Sequence, residues 1–183
     1  TKMDLLRRGV PIGKITAGGI PVHACFKPAG KKQEYLQKHG LQGGRFTLLL
    51  TSGSFGLGPQ EKILELLKDF QDKVQCFVVC ANNKDMKAAL ESKSYPYPVK
   101  VFGFIDFMDE LMEASDLMVA KPGGSTTSES LSKGVPMVII KPIPGQETRN
   151  AQLLKSRNAA FFMNDPEELH AIVKNVLEHP GEL

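Results

Sequence analysis

From residue 46 onward, short apolar runs alternate with longer stretches whose apolar positions recur every three or four residues. The run 46–50 reads as a buried strand, and Ile63, Leu64, Leu66, Leu67 and Phe70 follow it at helical spacing. Gly53, Gly56 and Gly58 punctuate the turn between them, and Pro59 suits the first position of a helix. The unit then recurs: strand 74–80 with helix 85–91, strand 99–102 with helix 108–114, strand 117–120 with helix 126–133, strand 136–140 with helix 148–156, and strand 159–162 with helix 166–178. Strand-then-helix units whose strands are apolar on both faces predict an α/β fold, a parallel sheet flanked by helices. The first 45 residues lack this rhythm. A helix-like stretch at 3–8 leads to the turn-rich Gly18-Gly19-Ile20-Pro21, and 27–44 reads as a polar connection with one short helix around 31–38.

Composition narrows the class. With 183 residues, 42% of them hydrophobic, the chain has enough apolar side chain for a core, which excludes a disordered chain. A net charge of +3 makes no case for nucleic acid as a partner. Three cysteines make no complete disulfide framework, and Cys76 and Cys80 sit in an apolar run, so a reduced, cytoplasmic chain is expected. No run approaches the ~18 apolar residues of a membrane span, and no signal peptide is read. The chain opens at Thr1 and stops at Leu183 soon after a helix, so both ends are expected to be cut from a longer protein.

Parallel α/β sheets bind ligands outside the carboxyl ends of their strands. Three loops at those ends stand out. Thr51-Ser52-Gly53-Ser54-Phe55-Gly56-Leu57-Gly58-Pro59 has the glycines that let backbone N–H groups approach an anion, although a tight strand-to-helix turn accounts for it equally. Lys121-Pro122-Gly123-Gly124-Ser125-Thr126-Thr127 offers hydroxyl and backbone donors before a helix, a second anion cradle. Glu129 follows where a carboxylate could accept from both hydroxyls of a ribose. The spacing Thr126-x-x-Glu129 is also that of a capping box, and spacing alone slightly favours the cap. In the third loop, Gln146, Glu147 and Asn150 cluster at a helix start after two prolines; an amide beside a carboxylate suits a sugar, and a rigid turn is the alternative. At Gly103-Phe104-Ile105-Asp106 an aromatic could hold a flat base, though alone Phe104 reads as core. The four histidines, His23, His39, His170 and His179, have no metal spacing, and no metal site or hydrolytic triad stands out.

These residues resemble a known family. The blocks 122–136 (Pro-Gly-Gly-Ser-Thr-Thr-Ser-Glu to Val-Pro) and Pro142-Ile143-Pro144-Gly145-Gln146-Glu147 with Asn150 look like the donor-binding half of a GT-B glycosyltransferase of the monogalactosyldiacylglycerol synthase and processive diacylglycerol glucosyltransferase group. The resemblance covers nearly the whole chain. It implies a Rossmann-like domain at 23–183, with 1–22 the tail of an acceptor lobe and the linker to it. It implies a UDP-sugar as donor substrate with no separate cofactor, and a lipid acceptor met at the inner face of the cell membrane through the lobe not represented here, which would also supply the catalytic base. Carried over residue by residue, Phe104 and Ile105 would hold uracil and Glu129 the ribose. Ser54 with Gly123, Gly124, Ser125 and Thr126 would hold the diphosphate, and Gln146, Glu147 and Asn150 would face the sugar. The chain departs from the family at His23, where relatives often carry Arg; this leaves a phosphate or base contact there open. The runner-up readings are the lipid II-forming N-acetylglucosaminyltransferase, disfavoured by Gln146-Glu147 in place of paired glutamines, and a nucleotide-sugar epimerase, which needs acid–base groups this half lacks. A dinucleotide oxidoreductase is disfavoured because no acidic residue ends the strand about 20 residues after a G-x-G-x-x-G.

Overall fold

The computed structural model describes residues 2–51, 53, 58–140, 142, 144–179 and 181. Strands β1 (Phe46–Thr51), β2 (Val74–Val79), β3 (Val99–Phe102), β4 (Leu117–Ala120), β5 (Met137–Ile140) and β6 (Phe161–Met163) form one sheet in the order β3-β2-β1-β4-β5-β6. Every pairing is parallel. The helices are α1 (Lys2–Arg7), α2 (Lys32–Lys38), α3 (Gln60–Leu66), α4 (Lys84–Glu91), α5 (Met108–Glu113), α6 (Gly124–Lys133), α7 (Gln146–Ser156) and α8 (Glu168–Glu178). The expected Rossmann-like α/β fold is therefore the one observed. None of these helices is long and apolar enough to cross a membrane.

Side chains alternate across the pleat, so each buried strand feeds two cores. Leu48 and Leu50 of β1, Cys76 and Val78 of β2, and Val138 and Ile140 of β5 pack with Ile63 and Leu64 of α3, Leu90 of α4 and Val173 of α8. Leu49, Phe77 and Met118 point the other way, onto Leu36 of α2 and Leu111 and Met112 of α5. Ile139 meets Ala151 and Leu154 of α7. Uninterrupted apolar runs are what a sheet covered on both faces requires.

Several expected boundaries move, three of them here for a clear local reason. The single helix expected over 63–70 is α3 followed by a tighter 3-10 turn, Leu67–Phe70. α6 begins at Gly124, two residues early, because Gly123 is its extended N-cap (φ −61°, ψ 148°). α7 begins at Gln146, not 148, because Gly145 turns the chain at φ 111°, a conformation open to glycine and strained for other residues.

Much of 2–25 is exposed, but 25–31 is clamped to the domain. Lys133 at the end of α6 donates its Nζ to Cys25 O (3.0 Å) and Lys27 O (2.8 Å) and pairs with Glu113 of α5 at 2.8 Å. Glu113 in turn accepts from the N–H groups of Ala29, Gly30 and Lys31. The two side chains are 1% and 9% exposed, so this is a buried pair with its remaining valences satisfied by backbone.

Candidate functional site

The strand order reverses between β1 and β4, and the crevice above that point is where open α/β sheets take their ligands. The loops after β1, β3, β4 and β5 lead from this end of the sheet. Of the β1 loop, Gly53 and Gly58 are described, whereas Ser54, expected at the diphosphate, lies outside the described residues.

The start of α6 is the best-defined candidate for an anion site. Its first helical hydrogen bond runs from Thr127 N–H to Gly123 O (2.9 Å). The N–H groups of Gly124, Ser125 and Thr126 precede the helical ladder. No side chain caps them among the described residues. Three donors left open among the described residues at the positive end of a ten-residue helix are an arrangement that suits an anion such as phosphate. Position 124 has little spare room: a Cβ there would lie 3.0 Å from Ile20 Cδ1 and 3.3 Å from Gln146 Nε2. Ile20, α6 and the start of α7 therefore meet at this glycine.

This geometry removes the capping-box reading of Glu129. Thr126 is already the third helical residue, and the cap is Gly123. Glu129, the sixth residue of α6, is half-buried and has no hydrogen bond or ion pair among the described residues. Burial without a compensating partner pushes its carboxyl above the usual range. It lines a cavity of about 190 Å³ with Gly53, Phe104, Ile105, Met108 and Thr126. Phe104 is 76% exposed, which overturns its reading as core, while Ile105 beside it packs into the core formed by Leu111 and Met112. An exposed aromatic and a carboxylate with no partner among the described residues thus share one small cavity with Thr126, the third residue of α6.

The third loop divides its residues. Gln146 is exposed and Glu147 half-buried at the start of α7. Asn150, one turn on, donates Nδ2 to Pro122 O at 2.9 Å, tying α7 to the β4–α6 turn. His23 stands apart from the cavity. Its Nδ1 accepts from Cys25 N–H (3.3 Å) and caps the 3-10 turn Ala24–Phe26.

Sequence reasoning missed Met108, Met112 and Met118, which also line the cavity. The i, i+4 spacing of Met108 and Met112 after Ile105 was the available signal. It also missed a larger cavity of about 300 Å³ between Pro59, Lys121, Met163 and Pro166. That cavity holds none of the candidate residues, so the smaller one, which brings Phe104, Ile105, Thr126 and Glu129 together, is the candidate site. Among the described residues no three His, Cys, Asp or Glu side chains group to hold a metal.

Fold and crevice define a Rossmann-like unit of the kind that forms half of a GT-B glycosyltransferase. Acinetobacter baumannii MurG shares the fold at a TM-score of 0.64 and 21% identity over 89% of this chain and 49% of that one. Anabaena Alr3699/HepE, solved in complex with UDP-glucose, matches at 0.69 and 19% over 98% and 52%. Residues 47–180 match the glycosyltransferase family 28 C-terminal domain, and the chain belongs to that family. The processive diacylglycerol beta-glucosyltransferase of Staphylococcus haemolyticus is 33% identical over 100% of this chain and 47% of its own length. The enzyme of the same name from Bacillus subtilis is 35% identical over 96% and 47%. The chain therefore spans about half the length of these relatives. With a glycosyltransferase family matched, the epimerase and oxidoreductase readings give way.

Proposed function

We propose that the chain is the donor-binding half of an enzyme that transfers a hexose from a UDP-sugar to a diacylglycerol-type lipid. The observation that carries the donor assignment is Glu129: a half-buried carboxylate, without a partner among the described residues, in one cavity with Thr126 of the uncapped helix start and the exposed Phe104. Uracil is held at Phe104 and Ile105, with the backbone of that loop reading its edge. Glu129 accepts from the ribose hydroxyls. The N–H groups of Gly124, Ser125 and Thr126 hold the diphosphate, and Gln146 and Glu147 face the sugar. In sugar transfer, negative charge grows on the departing diphosphate as the glycosidic bond to it breaks. Donors already fixed at that place stabilise the transition state without reorganising.

The lipid acceptor is supported by the names of the relatives, and the UDP-sugar by the UDP-glucose complex of the HepE neighbour. Residues 1–22 are the tail of the acceptor lobe and the linker, a reading supported by the exposure of that stretch and by the clamp that begins at Cys25. The acceptor lobe supplies the base and meets the lipid at the inner face of the membrane.

Calorimetric titration of the chain with UDP, ADP and GDP tests the donor assignment. Tighter binding of UDP than of either purine nucleotide is expected, because the cavity under Phe104 is only about 190 Å³. Equal affinity for all three would refute the uracil assignment.

A further inference from the structure

We propose that Asn150 is a positioning residue for the diphosphate and not a contact to the sugar. The proposal rests on the donor-binding reading above and assigns a division of labour within it. Asn150 Nδ2 donates to Pro122 O at 2.9 Å across 28 residues of chain. Pro122 is buried, and the next N–H along, that of Gly123, donates to Lys121 O at 2.9 Å. The peptide between Pro122 and Gly123 is thus held at both polar ends, its carbonyl by α7 and its N–H by the β4–α6 turn.

That peptide decides where α6 points its open donors. Gly123 is the extended N-cap, so rotation of the peptide before it re-aims the N–H groups of Gly124, Ser125 and Thr126. A glycine resists such rotation less than any other residue. Hydrogen bonds weaken steeply as donor and acceptor lose alignment. Without the amide of Asn150, the turn keeps its sequence but loses the tie that fixes the peptide plane. Gln146 lies one turn earlier on the same face of α7, and its Nε2 reaches to 3.3 Å from the Cβ position of Gly124. α7 therefore meets the turn twice, through exposed Gln146 at the crevice and through half-buried Asn150 behind it.

A brace and a sugar contact differ in which ligands feel their loss. The test titrates uridine, UDP and UDP-glucose into the 183-residue chain and its variants, with uridine followed by NMR. Asn150→Ala is expected to weaken UDP and UDP-glucose by the same factor, about fivefold to tenfold for one neutral hydrogen bond. Uridine, which has no phosphate, keeps its affinity. Gln146→Ala, as the comparison, is expected to weaken UDP-glucose and spare UDP. Should Asn150→Ala not fold, Asn150→Asp keeps the shape, removes the donor, and is expected to weaken UDP and UDP-glucose equally. A loss confined to UDP-glucose would show a sugar contact and overturn the proposal. So would an equal loss for uridine, or full retention of UDP affinity in both variants. Absence of UDP binding by the unsubstituted chain would overturn the donor-binding reading and this proposal together.

Discussion

Glu129→Ala is expected to lower UDP affinity by about 2–3 kcal/mol, roughly 30- to 150-fold, while leaving the unfolding transition where it is or slightly higher. Hydrogen bonds to a charged acceptor are each worth ~1.5–3 kcal/mol, and two to one carboxylate do not add fully. Stability is spared because no described residue uses this carboxylate: among them it caps no helix and pairs with no cation. Its raised pKa fixes the sign of the pH dependence. An acid whose folded pKa lies above its unfolded value contributes stability below the unfolded pKa, and this is lost as pH rises through the folded one. Near neutral pH the ionised, desolvated group therefore does not support the fold. Binding runs the other way, since the ribose hydroxyls donate to the ionised form. UDP affinity should fall as pH drops through the raised pKa, and Glu129→Gln should flatten that profile. Calorimetry across pH 4–8 with both variants reads all of this. A loss of stability without a loss of UDP affinity would return Glu129 to a structural role.

Lys133→Met is expected to cost about 3–5 kcal/mol of stability, the range for removing one partner of a buried ion pair. Glu113, 9% exposed, would keep its charge with its cation gone, and Cys25 O and Lys27 O would lose their donor. For a chain of this size the melting temperature should fall on the order of 10 °C. Burial alone pushes Glu113 up, but the Lys133 ammonium and the N–H groups of Ala29 and Gly30 outweigh it and hold its carboxyl below the usual range. A lowered carboxylate contributes stability above its unfolded pKa of about 4.3 and loses it as pH falls through the folded value. The unsubstituted chain should therefore lose this increment on acidification, and Lys133→Met should not. Denaturant unfolding at pH 7 and pH 4 measures both; a cost under about 1 kcal/mol at pH 7 would show that the pair does not hold 25–31 in place.

The sheet was legible because both-face burial leaves a signature in every strand, as in Leu48-Leu49-Leu50 and Val138-Ile139-Ile140. β6 was read two residues early, at 159 instead of Phe161. Ala159 N–H bonds back to Leu154 O, and Asn158 sits at φ 49°, so this apolar pair belongs to the end of α7. Helix starts misled for a related reason. Capping preferences favour hydroxyl residues, which points to Thr126, but the uncapped start at Gly124 leaves its N–H groups for a ligand. A site that withholds local satisfaction runs against rules built on local satisfaction. The ties from Lys133 to 25–27 and from Asn150 to Pro122 span 108, 106 and 28 residues and have no local signal. Phe104 looked like core because composition cannot tell an aromatic inside a core from one at a cavity mouth; its 76% exposure makes the difference.

The most direct measurement is amide chemical-shift mapping of the labelled chain during titration with UDP. The account predicts shifts at Phe104 and Ile105, at Gly123 to Thr126 and at Glu129, with saturation at a common concentration. Shifts centred instead on the cavity of Met163 and Asn164, with Phe104 and Gly124 unmoved, would contradict it.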